Sequence, residues 1–207
     1  MKKISYTLLF TILSIFCFAQ NSEVMYFDEN ATEISKIEFD TKLESRNYLE
    51  IPGEKRSVKT LVLRKNQGEI INVGKIYSLL KTSTGQTLNR QKPLVVIFYP
   101  GKDENNSGGQ NDRISIRIRK KELCKGLQEV AGVEPIYIYK DNTGLEKQKN
   151  FITWHKDPEA FFEKNFFKHH YPGSSFVVIS DKGEYISYYG EFPNEFVWDA
   201  AQKLSSN

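Results

Sequence analysis

Short apolar runs recur through the second half of the chain and predict buried strands. They are rich in β-branched and aromatic residues and are bounded by polar or turn-forming residues. This composition is typical of strands that are covered on both faces. A further apolar run follows the turn-forming sequence Asp-Lys-Gly and predicts a hairpin. The four predicted strands are residues 93–99, 135–139, 175–179 and 185–189.

Apolar residues spaced three and four positions apart lie between and after these runs, and they predict helices. The first helix covers residues 120–130. The second begins with Asp157 as its N-cap and Pro158 at the first helical position, carries phenylalanines on one stripe and ends near His170. A third helix closes the chain from Pro193. Its inward residues are predicted to be Phe196, Val197, Ala200 and Leu204.

The preceding part of the chain, residues 23–90, combines short strands with two helices. Ser35 and Glu38 have the spacing of a capping box, which predicts the start of a short helix. Asn72 is a favourable N-cap for a second helix with one apolar side. The two predicted strands are residues 47–51 and 58–64, separated by a Pro-Gly turn signal.

The predicted order β-α-β-α-β-β-α resembles a thioredoxin-like domain over residues 92–204. Residues 92–99 (KPLVVIFY) resemble the first core strand of that family, and residues 175–186 (SFVVISDKGEYI) resemble its β-hairpin. The expected fold class is α/β, a thioredoxin-like sheet with an N-terminal α+β elaboration. The expected division of the chain is a signal peptide at 1–19, the elaboration at 20–91 and the thioredoxin-like domain at 92–207.

Two features of the redox-active members of that family are missing from this sequence. Residues 99–104 read YPGKDE where those members carry a CxxC pair, and Ser174 stands where the family usually has a cis-proline. Cys17 and Cys124 are the two cysteines of the chain, and the first lies within the predicted signal. One thiol cannot form an intramolecular disulfide. The resemblance therefore implies the fold without thiol–disulfide oxidoreductase activity.

Cys124 has two interpretations. It lies on a helical stripe of apolar residues, which predicts that it is buried in the core. The alternative is a reactive thiol whose pKa is lowered by the neighbouring Lys125, suited to peroxide reduction or to mixed disulfide formation. The apolar neighbours that favour burial are Leu123, Leu127 and Val130.

The first nineteen residues have the pattern of an export signal. Two lysines precede an apolar segment at 8–16, and Cys17 and Ala19 occupy the positions that a signal peptidase reads. The apolar segment is shorter than the ~20 residues of a membrane span, which disfavours an uncleaved anchor. A lipoprotein signal acylated at Cys17 is disfavoured by the bulky Phe16 before it. We expect cleavage after Ala19 and a periplasmic or secreted bacterial protein without stable membrane insertion.

The net charge of the chain bears on whether it binds nucleic acid. The formal net charge of +3 falls to +1 when the two lysines of the predicted signal are removed. Nucleic-acid binding needs a clustered excess of Lys and Arg, so no nucleic-acid partner is expected. No cofactor is expected. Another exported protein is the partner class that the sequence leaves open.

Residues 113–119 (RISIRIR) alternate strictly between polar and apolar side chains. The alternation is typical of a half-buried strand with one basic face. We expect a short edge strand that its charges protect from pairing with other chains. The alternative is a docking edge for an acidic partner.

Polar and aromatic residues follow the predicted strands at one edge of the sheet. The loops at 101–112, 141–155 and 169–174 are expected to meet there, because the two parallel strands end where the antiparallel third strand begins. Ligands of open α/β sheets bind outside the carboxyl ends of the strands. No catalytic residue and no metal ligand is assigned. The candidate binding residues are Lys102, Asp103, Trp154, His155, His170 and Tyr171, with His169 beside them.

An exported enzyme or metal-binding protein that uses His155, or His169 and His170, is the alternative function. Adjacent histidines on a helix point about 100° apart, which disfavours their binding of one ion. Their simpler role is to place positive charge near the end of the predicted helix. Residues 103–108 match the start of an EF-hand loop, but Ile114 stands where the glutamate ligand is required. We therefore expect a binding or accessory module without dithiol redox activity, and no enzymatic activity.

Overall fold

The computed structural model describes residues 24–53, 57–102, 113–171 and 173–205. The predicted signal peptide, Asp103 and the partial EF-hand loop lie outside these ranges. No helix within them is long and apolar enough to cross a membrane. The strands are β1 Met25–Phe27, β2 Glu33–Ile34, β3 Tyr48–Pro52, β4 Val58–Leu63, β5 Lys65–Glu69, β6 Leu94–Tyr99, β7 Ile136–Tyr139, β8 Trp154–Lys156, β9 Ser175–Ile179 and β10 Glu184–Tyr188. The α-helices are α1 Lys36–Glu44, α2 Val73–Thr84, α3 Arg113–Val130, α4 Phe161–Asn165 and α5 Asn194–Ser205.

Six strands form one mixed sheet in the order β5-β10-β9-β6-β7-β8. β6 runs parallel to β7, whereas β9 runs antiparallel to both of its neighbours, β6 and β10. α3 provides the crossover that the parallel pair requires. The four central strands therefore have the thioredoxin-like arrangement that the sequence predicts, and the α/β fold class is confirmed. β5 and β8 add one strand at each edge.

Helices cover the large sheet on both faces, which explains the continuous apolar run of β6. Side chains alternate between the two faces of a strand. Val96 and Phe98 consequently lie in the core beneath α2 and α4, whereas Val95 and Ile97 lie in the core beneath α3 and α5. The sheet is therefore held between two separate apolar layers.

The N-terminal part forms a second, four-stranded sheet in the order β2-β1-β4-β3. The hydroxyl oxygen of Ser35 accepts a hydrogen bond from the Glu38 N–H at 3.2 Å and begins α1. The side-chain oxygen of Asn72 accepts one from the Lys75 N–H at 3.0 Å and begins α2. Both predicted caps are confirmed. β5 and α2 come from the same part of the chain and complete the large sheet and its core.

The strand predicted at residues 113–119 is wrong, because these residues form the first turns of α3. The parallel pairing of β6 and β7 requires a long crossover, and a helix supplies it. Ile116 lies against the core, whereas Ile114 and Ile118 are 65 % and 52 % exposed. The sheet edge that was predicted to dock an acidic partner is therefore not formed by these residues.

The helix predicted from Asp157 to His170 is shorter than expected. A 3-10 turn at Pro158–Ala160 follows Asp157, and its last two residues have left-handed backbone angles that interrupt the helix. α4 begins after this turn and ends at Asn165. His169 and His170 therefore lie beyond the helix, and their predicted place at its end is wrong.

α5 directs most of its predicted residues inward. Val197, Ala200 and Leu204 are buried, but Phe196 is 43 % exposed, so its predicted inward position is wrong. Consecutive helical residues point about 100° apart, so Phe196 cannot share the buried direction of Val197. The Phe196 ring contacts Tyr188 edge to face, with 5.2 Å between the ring centroids.

Candidate functional site

A cleft of about 710 Å³ opens at the C-terminal ends of the parallel strands β6 and β7. We call it the edge cleft. It lies between the end of β6, the first half of α3, the segment from β7 to β8, and the residues that precede β9 and α5. The structure thus brings together the described parts of the three loops that were expected to meet. Residues that mark its extent are Tyr99, Ser115, Gly144, Trp154, Ser174 and Asn194.

Two glycines with left-handed backbone shape the mouth of the edge cleft. The φ angle is +118° at Gly101 and +94° at Gly144, values that side chains rarely allow. A β-carbon at position 144 would lie 2.7 Å from the Tyr99 hydroxyl oxygen, and one at position 101 would lie 3.0 Å from the Asp141 Cβ. The Tyr99 hydroxyl donates to the Thr143 carbonyl oxygen at 2.9 Å. The segment after β7 is thereby held against the end of β6.

Three aromatic side chains form one side of the edge cleft, and we call them the aromatic wall. The Trp154 ring lies 5.8 Å from the Tyr99 ring and 5.1 Å from the Tyr137 ring between centroids. The second pair is edge to face, an arrangement that aromatic rings favour. Apolar residues beside the wall complete a surface suited to a flat, largely apolar molecule. They are Ile97, Ile116, Leu123 and Ile152.

Two buried polar atoms beside the edge cleft, Trp154 Nε1 and Asn194 Oδ1, have no hydrogen-bond partner among the described residues, and both are closed to solvent. The equally enclosed Tyr137 Oη lies beside the Cys124 thiol. Tyr137 and Asn194 are only 7 % and 8 % exposed. The Asn194 Nδ2 donates to the Arg119 carbonyl oxygen at 3.1 Å, which holds the amide in place.

Among the described residues that line the edge cleft, positive side chains outnumber negative ones. Two of them form hydrogen bonds within the protein. Arg119 donates to the Phe192 carbonyl oxygen, and Lys120 donates to the Phe151 carbonyl oxygen. Lys102 and Lys147 are exposed at the rim and form ion pairs with none of the described carboxylates. The lining cations are Lys102, Arg119, Lys120 and Lys147, and the lining carboxylates are Glu146 and Glu191.

Glu146 stays ionised beside the rim lysines. Its carboxylate accepts hydrogen bonds from its own backbone N–H and from that of Gly144, the latter at 3.2 Å. These bonds, and then the positive charges of Lys102 and Lys149, hold the pKa of Glu146 below its usual value. The rim therefore combines two cations with one fixed anion.

Cys124 is half-buried in the middle of α3. Burial raises the pKa of its thiol, because the loss of solvent disfavours the thiolate more than the charge of Lys120 favours it. Lys125, which the alternative prediction held responsible for a lowered pKa, pairs with Glu129 at 3.8 Å instead. Burial also raises the pKa of Tyr137, and the neighbouring Cys124 thiol raises it further through its charge and a hydrogen bond. The environment of Cys124 favours the neutral thiol.

The structure separates the predicted site residues. Lys102 and Trp154 line the edge cleft, whereas His155, His170 and Tyr171 do not. His155 pairs in register with Ile138 in the core beneath α2, and Trp154 pairs with Tyr137 on the opposite face. Strand alternation thus directs Trp154 and His155 to different sides of the sheet.

The segment that follows α4 is held by Tyr189. The His169 N–H donates to the Tyr189 hydroxyl oxygen at 2.6 Å, and this hydroxyl donates to the His169 carbonyl oxygen at 2.9 Å. Burial raises the pKa of Tyr189 to about 12 and lowers the pKa of His169, in the second case with help from Lys168. Within the described ranges, no three His, Cys, Asp or Glu side chains are grouped to hold a metal ion.

Sequence reasoning missed two buried residues of the edge cleft. Tyr137 lies inside a predicted strand and Asn194 near the start of a predicted helix, and neither was among the candidate binding residues. The signal that could have found Tyr137 is its hydroxyl, since a phenol in a fully covered strand needs a partner. Asn194 offered no comparable signal.

No protein-family model and no curated protein sequence matches this chain. Among solved structures, BsSco, a member of the Sco family of cytochrome c oxidase assembly proteins, is similar at 17 % identity and a TM-score of 0.36, over 56 % of this chain and 81 % of that chain. A secreted thiol-disulfide isomerase from Corynebacterium glutamicum is similar at 13 % identity and a TM-score of 0.36, over 76 % of this chain and 92 % of that one.

Proposed function

We propose that this protein is an exported thioredoxin-like binding module that holds a ligand in the edge cleft and performs no dithiol chemistry. The observation that carries the proposal is the position of the edge cleft, which has a volume of about 710 Å³ and lies at the C-terminal ends of β6 and β7. Ligands of open α/β sheets bind outside the carboxyl ends of the strands, so this position favours a binding site. The aromatic wall supplies apolar contact surface for the ligand.

The absence of a second thiol supports the redox part of the proposal. Dithiol exchange needs two cysteines, and Cys124 is the one cysteine that follows the predicted signal. The raised pKa of Cys124 also lowers the fraction of thiolate, which is the form that attacks a disulfide. Both the number of thiols and the environment of Cys124 therefore disfavour dithiol exchange.

The redox part is tested by the reduction of insulin with dithiothreitol. We expect the rate of insulin reduction with the protein present to equal the rate without it. We expect the same result for Cys124→Ser. This substitution is the matched control, because it removes the thiol while keeping a small side chain on α3. A clear acceleration by the protein that is lost in Cys124→Ser would contradict the proposal.

Export is supported by the pattern of the first nineteen residues. We expect the protein recovered outside the cytoplasm to begin at Gln20, because small residues precede that position. Mass spectrometry of the extracytoplasmic fraction measures this. The control is Leu13→Arg, which places a charge in the apolar segment and is expected to keep the full chain in the cytoplasm. An intact N-terminus at Met1 in the exported fraction would exclude the predicted cleavage.

A further inference from the structure

We propose that one side of α3 docks the protein on the surface of an anionic lipid bilayer. We call this side the outer face of α3. None of its residues lines the edge cleft, so the inference adds a second surface to the proposed function and does not depend on a ligand in the cleft. The residues of the outer face are all exposed, and they are Arg113, Ile114, Arg117, Ile118, Lys121 and Lys125.

The four cations of the outer face form one row along the helix. Arg113, Arg117, Lys121 and Lys125 are spaced four residues apart, so they lie on the same side of α3. The other side of the helix lies against the core, where Leu123 is buried. The packing of α3 on the sheet therefore leaves a row of positive charges in solvent.

Three of these cations have no carboxylate partner. Arg113, Arg117 and Lys121 form ion pairs with none of the described carboxylates. Lys125 pairs with Glu129 at 3.8 Å, but both side chains are exposed, and an exposed pair of this kind contributes little. The sequence from 113 to 121 also contains no acidic residue. Ion pairs within the described part of the chain therefore leave most of the positive charge of the outer face available to a partner.

Two more lysines lie beside the first half of α3. Arg113 Nε donates to the Lys147 carbonyl oxygen at 3.3 Å, and Lys120 donates to the Phe151 carbonyl oxygen, so residues 147–151 pass alongside the helix. Lys147 and Lys149 are exposed in this segment. Carboxylates are fewer than cations in α3 and residues 146–151, and they are Glu122, Glu129 and Glu146. The segment therefore extends the positive surface beyond the helix.

Two exposed isoleucines lie among the cations. Ile114 and Ile118 are 65 % and 52 % exposed and are four residues apart. Successive residues of a helix are turned by about 100°, so Ile114 points between Lys121 and Lys125 in a view along the axis of α3. A basic helix face with exposed apolar residues is typical of helices that lie on a membrane surface. The cations of such a helix contact lipid phosphates, and its apolar side chains enter the headgroup region.

An anionic bilayer fits the outer face better than an acidic protein does. Stable protein interfaces bury about 1,000 Å² or more with complementary shape, and two isoleucines on one convex helix supply little of the apolar core of such an interface. Association with a bilayer requires no matching shape, and each Lys or Arg close to an anionic surface strengthens it. The export that we propose would also bring the protein into a compartment that a membrane borders.

The test is sedimentation of the protein with lipid vesicles. The protein recovered from the extracytoplasmic fraction is used, so that all variants share the same N-terminus. We expect association with vesicles of phosphatidylcholine and phosphatidylglycerol in equal amounts, and none with phosphatidylcholine alone. Salt at about 1 M is expected to weaken the association, because it screens charges beyond about 3 Å. Association that is equal for both kinds of vesicle, or absent from both, would overturn the proposal.

The cations are tested by the double variant Arg117→Gln with Lys121→Gln. Each lost cation is expected to weaken association about fivefold, and the two together about 25-fold. The matched control is Lys81→Gln with Lys168→Gln, which removes the same charge from exposed lysines of α2 and of the segment after α4, on the opposite face of the sheet. We expect this control to bind the vesicles like the unchanged protein. Equal losses in the two double variants would show that net charge, and not the outer face of α3, directs association.

The isoleucines are tested by Ile114→Ala with Ile118→Ala. We expect vesicle association to weaken about tenfold, because less apolar surface enters the headgroup region. Alanine is a good helix former, so α3 is expected to stay intact. Unchanged association would contradict the contact of these isoleucines with lipid. Soluble polyglutamate is titrated in parallel, and its binding without any binding of anionic vesicles would identify an acidic protein as the partner and overturn the assignment of a bilayer.

Discussion

Replacing Phe162 by alanine is expected to lower the free energy of unfolding by about 3–5 kcal/mol. Phe162 is 0 % exposed in α4, and its ring contacts those of Phe161 and Phe166 at 5.5 and 6.1 Å. Its backbone N–H also donates to the buried Asp157 carboxylate at 3.1 Å, so the surrounding segment cannot move freely to fill the cavity. Urea unfolding followed by circular dichroism measures the loss.

The matched control for this change is Phe196→Ala in α5. The same atoms are removed, but Phe196 is 43 % exposed and contacts one ring, that of Tyr188. We expect a loss of about 1 kcal/mol, the size of one aromatic contact with limited burial. Similar losses for Phe162→Ala and Phe196→Ala would show that the buried directions of α4 and α5 are assigned incorrectly.

Replacing Gly126 by alanine is expected to destabilise the protein by about 2 kcal/mol, although alanine is the better helix former. A β-carbon at position 126 would lie inside the van der Waals radius of the Trp198 indole ring. The ring would have to move and lose its hydrogen bond to the Leu123 carbonyl oxygen. Overpacking of this kind costs about 1–3 kcal/mol, and the helix propensity of alanine returns up to about 1 kcal/mol. Thermal and urea unfolding measure the net change.

Gly74→Ala in α2 is the control for Gly126→Ala. The nearest atom to a β-carbon at position 74 is the side-chain oxygen of Asn72 at 3.5 Å, an ordinary contact. We expect the stability to stay the same or to rise by up to about 1 kcal/mol, because alanine is the better helix former. A stabilising Gly126→Ala would show that α3 and α5 are farther apart than the structure places them.

Local sequence was sufficient for the elements whose partners are near in the chain. Ser35 and Asn72 cap helices through backbone groups three residues away, so their spacing alone identifies them. β6 and β9 are covered on both faces, so nearly every position must be apolar and the run is visible without any structure.

Distant partners define the elements that the sequence did not reveal. β5 is polar and exposed along its length, and it is a strand because its backbone pairs with β10. The first turns of α3 alternate like a strand, yet they are helical because the crossover between β6 and β7 passes through them. The periodicity of apolar residues shows which side chains face a core. It does not show which other segment of backbone pairs with a strand.

The residues of this chain predict, without reference to its folded form, a thioredoxin-like order of strands, and they include one cysteine after the predicted signal. Lys102 and Trp154 line the edge cleft, and their role in binding stays a prediction. Folding in three dimensions was needed to bring Tyr137 and Asn194 to the same cleft. The physical reason is that the lining of a cleft comes from residues far apart in the chain, whereas periodicity and composition depend on neighbours.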